Sequence, residues 1–315
     1  MTNRNTENNN PEYVYGPVPS RRLGRSLGVD LVPYKTCTYD CIYCQLGRTT
    51  NKTTQLKEWI PSDTVINQVK DKLESHPDYI TISGSGEPTL NSKIGEVIVG
   101  IKEMTEIPIA VLTNGSLLWS PEVRRSLQTA DLVLPSLDAG SDTLYQYVNR
   151  PNTDIPFDKM LEGLVKFRDE YTGQYWLETL ILGGVTTVET QVNALAHAIR
   201  WIGPDKVHVN TVSRPPAEDF AMAVPPGQLK EIAAKLSEKA EIIASSRRIQ
   251  KYPETSARLQ DILALLRRRP CSVEDVAIGL GLHRNAVVKG LEQLCSQQQA
   301  QAEYTTHGLF YKALN

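Results

Sequence analysis

From Leu27 to about Asn210, short runs rich in β-branched and aromatic residues alternate with longer amphipathic stretches, and this alternation admits few architectures. Strands separated by about a dozen helical residues pair in parallel, because a crossover of that length is what returns the chain to the same edge of a sheet. The pattern predicts six strands, at 28–33, 79–83, 107–113, 132–137, 175–182 and 206–210. Helices are expected at 62–75, 92–104, 121–129, 157–170, 189–202 and 226–243, with Pro61, Pro121 and Pro156 at or just before first turns. Six such units make an α/β fold, a partial (β/α)6 barrel of the TIM type, whose reactive residues belong at the carboxyl ends of its strands.

The alternation stops at Ser245–Thr255, where the run Arg247-Arg248-Ile249-Gln250-Lys251-Tyr252-Pro253 reads as a linker, placed at 246–256. Beyond it, 257–267, 272–280 and 283–295 read as helices, and 300–313 alternates about His307-Gly308 like a hairpin. That order predicts a small C-terminal winged helix-turn-helix domain over 257–315, with Val276, Leu280, Leu282, Val287, Val288, Leu291 and Leu294 as its core and Gly281 in its turn. The barrel is placed at 13–245, and the Asn- and Thr-rich residues 1–12 are expected to be disordered rather than a signal peptide.

Charge narrows the partners. Lys plus Arg 34 against Asp plus Glu 36 leaves a net charge of −2, so any polyanion must be met by a local patch. Apolar runs such as the one at Val97 to Ile101 fall far short of the ~18 residues of a membrane span, which predicts no membrane partner and a cytoplasmic protein. Five cysteines, an odd number, argue against a disulfide framework and towards metal or catalysis. Cys37, Cys41 and Cys44 form a cluster, whereas Cys271 and Cys295 fall in the small domain, where each is expected to pack in a short helix as an apolar side chain.

The loop Lys35-Thr36-Cys37-Thr38-Tyr39-Asp40-Cys41-Ile42-Tyr43-Cys44 sets three thiols at spacings of four and three directly after the first predicted strand. Structural zinc wants a fourth ligand at short range, and the next candidates, His76 and Cys271, are distant. Three thiolates suit instead a [4Fe–4S] cluster with one iron left open.

This loop resembles the CxxxCxΦC signature of the radical S-adenosylmethionine (SAM) superfamily, with Cys37, Cys41 and Cys44 as metal ligands and Tyr43 as the aromatic residue beside the cofactor. The run Gly16-Pro17-Val18-Pro19-Ser20-Arg21-Arg22-Leu23-Gly24 is similar to the subgroup related to wyosine-forming tRNA enzymes, although the second cysteine group of its archaeal members is absent here. The resemblance covers about residues 13–245. It implies that the cluster's open iron chelates SAM and that one electron cleaves the sulfonium to a 5′-deoxyadenosyl radical, which abstracts hydrogen from a substrate. A low-potential electron donor of the flavodoxin or ferredoxin type is implied with it. The substrate, whether small molecule, RNA or protein, is left open.

Other landmarks have physical reasons of their own. Ser83-Gly84-Ser85-Gly86-Glu87-Pro88 ends the second strand with two glycines that let backbone approach a ligand, and Glu87 can accept from an ammonium; the stretch resembles the motif that binds the SAM amino group, with a Gly-rich turn as the alternative. Thr113-Asn114-Gly115 and Ser136-Leu137-Asp138 close the next two strands. The resemblance puts Thr113, Asn114 and Ser136 on SAM and Asp138 on substrate; as strand-end turn residues they would need no such role. Glu178 shares a strand face with Trp176 and Leu180, where a carboxylate is costly unless paired, so it meets either SAM or substrate or an arginine. Asp138 and Glu178 are thus the candidate catalytic residues. Asn210 and Arg214 stand at the end of the sixth strand, and Arg21, Arg22 and Arg25 precede the first, able to line the mouth and bind phosphate or carboxylate. Of the five histidines only His208 is near this chemistry, and it reads as a core residue with a satisfied ring.

The third helix of the small domain opens His283-Arg284-Asn285 and continues to Lys289, side chains able to reach nucleic acid. Across 257–315, seven Lys plus Arg against five Asp plus Glu give a net of +2, which is modest for a duplex reader and leaves DNA binding, RNA or protein docking, and a structural cap all open. An iron–sulfur or SAM-sensing DNA-binding regulator is therefore the alternative to an enzyme.

Overall fold

The computed structural model describes residues 11–243, 259–305 and 308–314. Its main body is an eight-stranded sheet in the order β1, β2, β5, β6, β7, β8, β9, β10. The strands are β1 (Val14–Ser20), β2 (Gly24–Asp30), β5 (Tyr79–Ser83), β6 (Ile109–Thr113), β7 (Leu132–Pro135), β8 (Gln174–Ile181), β9 (Lys206–Thr211) and β10 (Ala240–Ile242), while β3 (Thr36–Cys37) and β4 (Asn51–Lys52) form a separate two-residue pair. All neighbours in the large sheet are parallel except β1, which runs antiparallel to β2.

Helices cover the outside: α1 (Ser62–Lys72), α2 (Ile94–Lys102), α3 (Pro121–Ser126), α4 (Asp142–Val148), α5 (Phe157–Glu170), α6 (Glu189–Ile202) and α7 (Pro226–Leu236). Their apolar residues recur at helical spacing, as Phe157, Met160, Leu161, Leu164 and Phe167 do in α5, and bury one stripe against the sheet. Strands β5, β6 and β7 are buried through most of their length, as parallel strands between helices and barrel interior must be. In β8 alternation is strict: Tyr175, Leu177, Thr179 and Ile181 are buried against the helices, and the half-buried Trp176, Glu178 and Leu180 take the other face.

The expected six parallel strands are all present. Besides the two-residue pair β3 and β4 and a short 3-10 turn at Pro88–Leu90, the pattern missed three elements of the main body. One is β1, whose run Gly16-Pro17 and Pro19 masks a strand by removing donors, which an edge position tolerates. The second is the short α4. The third is β10, because the helix expected to reach 243 stops at Leu236 and the chain then pairs Ala240–Ile242 with β9.

The C-terminal part has α8 (Leu259–Arg268), α9 (Val273–Leu280) and α10 (Arg284–Ser296) and the antiparallel pair β11 (Ala300–Thr305) and β12 (Gly308–Ala313). Ser272 and Asp275 cap α9 reciprocally, and Gly281 ends it at φ +64°, a conformation that needs glycine. Val276, Leu282, Val287, Leu291 and Leu294 join Ile262 and Leu266 in a core of their own. Leu280 and Val288, expected in that core, are only half-buried. Cys271 does not lie in a helix: it bridges Tyr311 in antiparallel fashion between α8 and α9, buried to 1% exposure, while Cys295 does lie in α10. The expected linker at 246–256 and residues 1–10 of the stretch 1–12 expected to be disordered lie outside the described residues, while Glu12 is described and pairs with Lys72. Among the described residues, no helix is long and apolar enough to cross a membrane.

Candidate active site

One cavity of about 470 Å³ opens at the carboxyl ends of the parallel strands, and Cys37, Cys41 and Cys44 all line it. The cysteine loop is held from below. Thr36 N–H donates to Pro33 O (3.0 Å), Glu87 N–H donates to Thr36 O (3.0 Å), and the Thr38 and Ser116 hydroxyls meet at 2.7 Å. Two amides reach sulfur: Asn114 Nδ2 lies 3.5 Å from Cys37 Sγ and Asn149 Nδ2 lies 3.5 Å from Cys41 Sγ. Burial pushes the Cys37 thiol up to about 12, with the Glu87 charge adding to it, and raises Cys41 and Cys44 as well. Thiols in this setting are protonated at neutral pH, and binding iron must release those protons.

This donor set fits an iron–sulfur cluster. Among the described residues no three His, Cys, Asp or Glu side chains gather as a site for a single ion, as structural zinc would require. A four-iron cube asks for no common point, since each thiolate takes its own iron. The N–H donors beside two of the sulfurs are the kind of partner that tunes such a cluster.

Gly84 and Gly86 line the cavity too, and both positions exclude a side chain. Gly84 has φ +110°, and a Cβ there would run into Asp30 Oδ1; a Cβ on Gly86 would run into the Thr36 carbonyl. Their first duty is therefore close contact with β2 and the cysteine loop. Glu87 is 1% exposed, does not line the cavity, and accepts from Thr89 N (3.1 Å), Thr89 Oγ1 (2.6 Å), Thr113 Oγ1 (2.6 Å) and Asn114 N (2.7 Å). Within the fold its carboxylate braces the ends of β5 and β6. Burial raises its pKa against those four donors.

Asn114 is likewise a brace rather than a cavity residue, with Nδ2 donating to Thr38 Oγ1 at 2.7 Å and Oδ1 accepting from Ser116 N at 3.0 Å. Thr113 lines the cavity, but its hydroxyl is committed to Glu87. Ser136 lines it as well, in a parallel bridge with Glu178.

Asp138 stands in the cavity wall yet is 3% exposed, accepting from the Tyr43 hydroxyl, from Asn149 Nδ2 (2.9 Å) and from Leu180 N (2.9 Å), with burial raising its pKa. Glu178 pairs with Arg22, the arginine partner that its burial called for, and accepts from Asn210 Nδ2 at 3.2 Å. Arg25 does not reach the cavity; its side chain donates to His76 O at 3.4 Å.

What sequence reasoning missed is the far wall. Leu265, Arg268 and Arg269, from the end of α8, line the same cavity. Arg268 forms an ion pair with the buried Asp30 and lies 4.2 Å from the Tyr15 ring centroid. Asp30 in turn accepts from Ser85 N at 2.8 Å, so the glycine-rich loop and α8 share one carboxylate. The only signal was Arg267-Arg268-Arg269, and an arginine run alone does not say which surface it meets. Asn149, touching both Cys41 and Asp138, lies in no recognisable motif.

Three thiols in one cavity at the strand ends, with a double-glycine turn beside them, decide the matter together with one comparison: residues 31–194 match the radical SAM superfamily. The chain belongs to that superfamily. With membership come an enzymatic activity, a [4Fe–4S] cluster and SAM as cofactors, and cleavage of SAM by a radical mechanism. The chain is similar to UPF0026 protein MJ1312 of Methanocaldococcus jannaschii, 37% identical over 238 residues, covering 74% of this chain and 73% of that one. It is also 36% identical over 304 residues to a protein named GTPase Obg of Brachyspira hyodysenteriae, covering 95% of this chain but only 45% of that longer protein. Among solved structures, a radical SAM methyltransferase from Sphaerobacter thermophilus shares the fold, with a TM-score of 0.53 at 18% identity over 69% of this chain and 65% of that one.

Proposed function

We propose that this radical SAM enzyme takes a hydrogen atom from a substrate held over the barrel mouth, between the strand ends and the C-terminal helices. The observation that carries the reading is that Cys37, Cys41, Cys44, Gly84, Gly86, Ser136 and the arginines of α8 border one cavity. Cys37, Cys41 and Cys44 would hold the cluster, and Tyr43, Gly84, Gly86, Thr113 and Ser136 would border SAM. Bound cluster and SAM supply the radical. The chain's own residues hold them, exclude water with the apolar side chains Leu112, Leu134, Leu180 and Leu265, and orient the substrate. Asp138 and Glu178 fit positioning roles better than proton transfer, since both carboxylates are already hydrogen-bonded within the fold. A flavodoxin or ferredoxin type donor supplies the electron. The substrate is a small molecule, an RNA or a protein.

The residues 257–315, read as a winged helix-turn-helix, act in this proposal on the substrate side rather than as a DNA reader. Two of the candidate base readers are engaged within the module: His283 Nδ1 accepts from Asn285 N (3.2 Å), capping α10, and Arg284 pairs with Glu274 at 3.1 Å. Nothing observed favours the regulator alternative. The test is anaerobic reconstitution followed by reduction with dithionite or flavodoxin, with 5′-deoxyadenosine as the product to detect. Its formation by the wild type and its absence from the Cys37→Ala, Cys41→Ala, Cys44→Ala triple variant are expected; a cluster-replete, reduced protein that binds SAM and makes none would count against an enzyme.

A further inference from the structure

Among the described residues the cavity is lined by six basic side chains, Arg21, Arg22, Lys35, Arg214, Arg268 and Arg269, against two acidic ones, Asp138 and Glu178. Two of the six are neutralised one to one, Arg22 by Glu178 and Arg268 by the adjoining Asp30. The remaining arginines gather on one side. Arg21 Nη1 donates to Ser213 Oγ at 3.0 Å, and Arg214 donates to Gln45 Oε1 at 3.3 Å and pairs with Asp275 at 3.2 Å. Arg269 follows α8 and faces the same cavity; its guanidinium makes no hydrogen bond or ion pair among the described residues. Arg21, Arg214 and Arg269 are close enough to repel one another; Asp275 faces all three, and Glu178 faces Arg21 as well.

Among the described residues, Arg214 and Arg269 share the one carboxylate of Asp275, which leaves an excess of one positive charge on this side of the cavity. Arg214 is 12% exposed, and its Nε is buried without a partner. Burial and the nearness of Arg269 lower its pKa to about 10. An interface built only to dock α8 and α9 on the barrel would match its charges in pairs, since an uncompensated buried charge is strongly unfavourable. Guanidinium forks with spare N–H groups are also the donors best shaped for planar or tetrahedral oxyanions. Gln45, which Arg214 touches, directly follows the cluster ligand Cys44, so the group of arginines lies beside the reaction centre.

We propose that Arg214 and Arg269 form an oxyanion subsite for the substrate, taking its phosphate or carboxylate, and that the C-terminal segment completes this subsite by supplying Arg269. The assignment of the anion to substrate rests on the radical-enzyme reading above; the binding site itself does not. A substrate anchored here would lie between two parts of the chain more than two hundred residues apart, which gives the appended helices a direct part in substrate choice.

The cluster-reconstituted chain should be titrated calorimetrically with inorganic phosphate and, separately, with malonate. Saturable binding to one site is expected for at least one of them, weakening as ionic strength rises. Tighter phosphate binding would identify a phosphorylated substrate and tighter malonate binding a carboxylate one; either supports the subsite. Arg269→Gln should weaken the preferred anion by about 10- to 100-fold, and Arg269→Lys should recover part of the loss. Cluster content and SAM affinity should be unchanged in both variants. Equal anion affinity in wild type and Arg269→Gln overturns the proposal. So does a parallel loss of SAM affinity, which would give the subsite to the cofactor's own carboxylate. If anions bind as described but the wild type forms no 5′-deoxyadenosine, the radical reading fails and the anion site stands.

Discussion

Glu87 shows how a motif carboxylate can be spent on bonds within the fold. Its carboxylate gathers Thr89, Thr113 and Asn114, and Asn114 then reaches Cys37 Sγ. Glu87→Ala is therefore expected to lower cluster loading as well as SAM affinity, and to destabilise the chain by about 1–3 kcal/mol as buried donors lose their acceptor. Iron and sulfide analysis next to a SAM titration separates the cases: weakened SAM binding on a full cluster would restore a direct contact. The cysteines give a sharper contrast. Cys37→Ala should lose the cluster, whereas Cys295→Ala, in half-buried α10, should keep about four irons and a normal absorption spectrum. The cysteine spacing was legible because three thiols in eight residues have few physical uses. The division of labour between Glu87 and the glycines was not, because a sequence does not show which way a strand-end carboxylate turns.

At the scale of elements, parallel strands and their crossovers were read well where periodicity was clean, as in 79–83, 157–170 and 189–202, which the structure reproduces within a residue. Edges were read poorly, since β1 and β10 have one neighbour each and need little hydrophobic patterning to pair. Within β9, His208 is buried as its reading required, 3% exposed and edge-on against Trp176, but the ring is not satisfied as expected, since Nδ1 has no partner among the described residues. Burial, helped by Arg22 and Lys206 and opposed by Glu178 and Glu241, lowers its pKa from 6.5 to about 4. The fold favours the neutral ring, so the unfolded chain binds more protons between these values and stability falls as pH falls through that window. The loss is at most about 3 kcal/mol for the shift from 6.5 to about 4. Denaturant midpoints at pH 7 and pH 4.5 should therefore diverge less in His208→Leu than in wild type, and equal divergence would remove His208 from the account. In the glycine-rich loop, Gly86→Ala should cut cluster loading several-fold, because its new methyl meets the Thr36 carbonyl that positions Cys37. Full loading of that variant in the iron assay would show that the loop can shift.

For the whole molecule the question is how firmly the C-terminal helices are tied to the barrel. Arg268 is the main knot, with Asp30 and Tyr15 on the barrel side and a further bond from its Nη2 to Glu12 O at 2.9 Å. Breaking a buried pair from one side leaves the other charge stranded, at about 3–5 kcal/mol. Arg268→Ala should accordingly speed amide exchange in 259–268 while leaving α5 and α6 protected, and Asp30→Asn should do the same more mildly. Unchanged exchange in α8 would mean that the apolar contacts of the module, Val18 among them, hold it without the arginine. The presence of these helices was legible from their periodicity; their docking was not, because the partners Asp30 and Asp275 lie on different elements far apart in sequence.

The wall that α8 supplies has a consequence for how the protein is made. The thiols at 37, 41 and 44 leave the ribosome more than two hundred residues ahead of the side chains that roof them, at 265, 268 and 269. Until α8 emerges, that side of the cavity has no wall, and the cysteines are more open to iron and sulfide than in the finished fold, where they are half-buried.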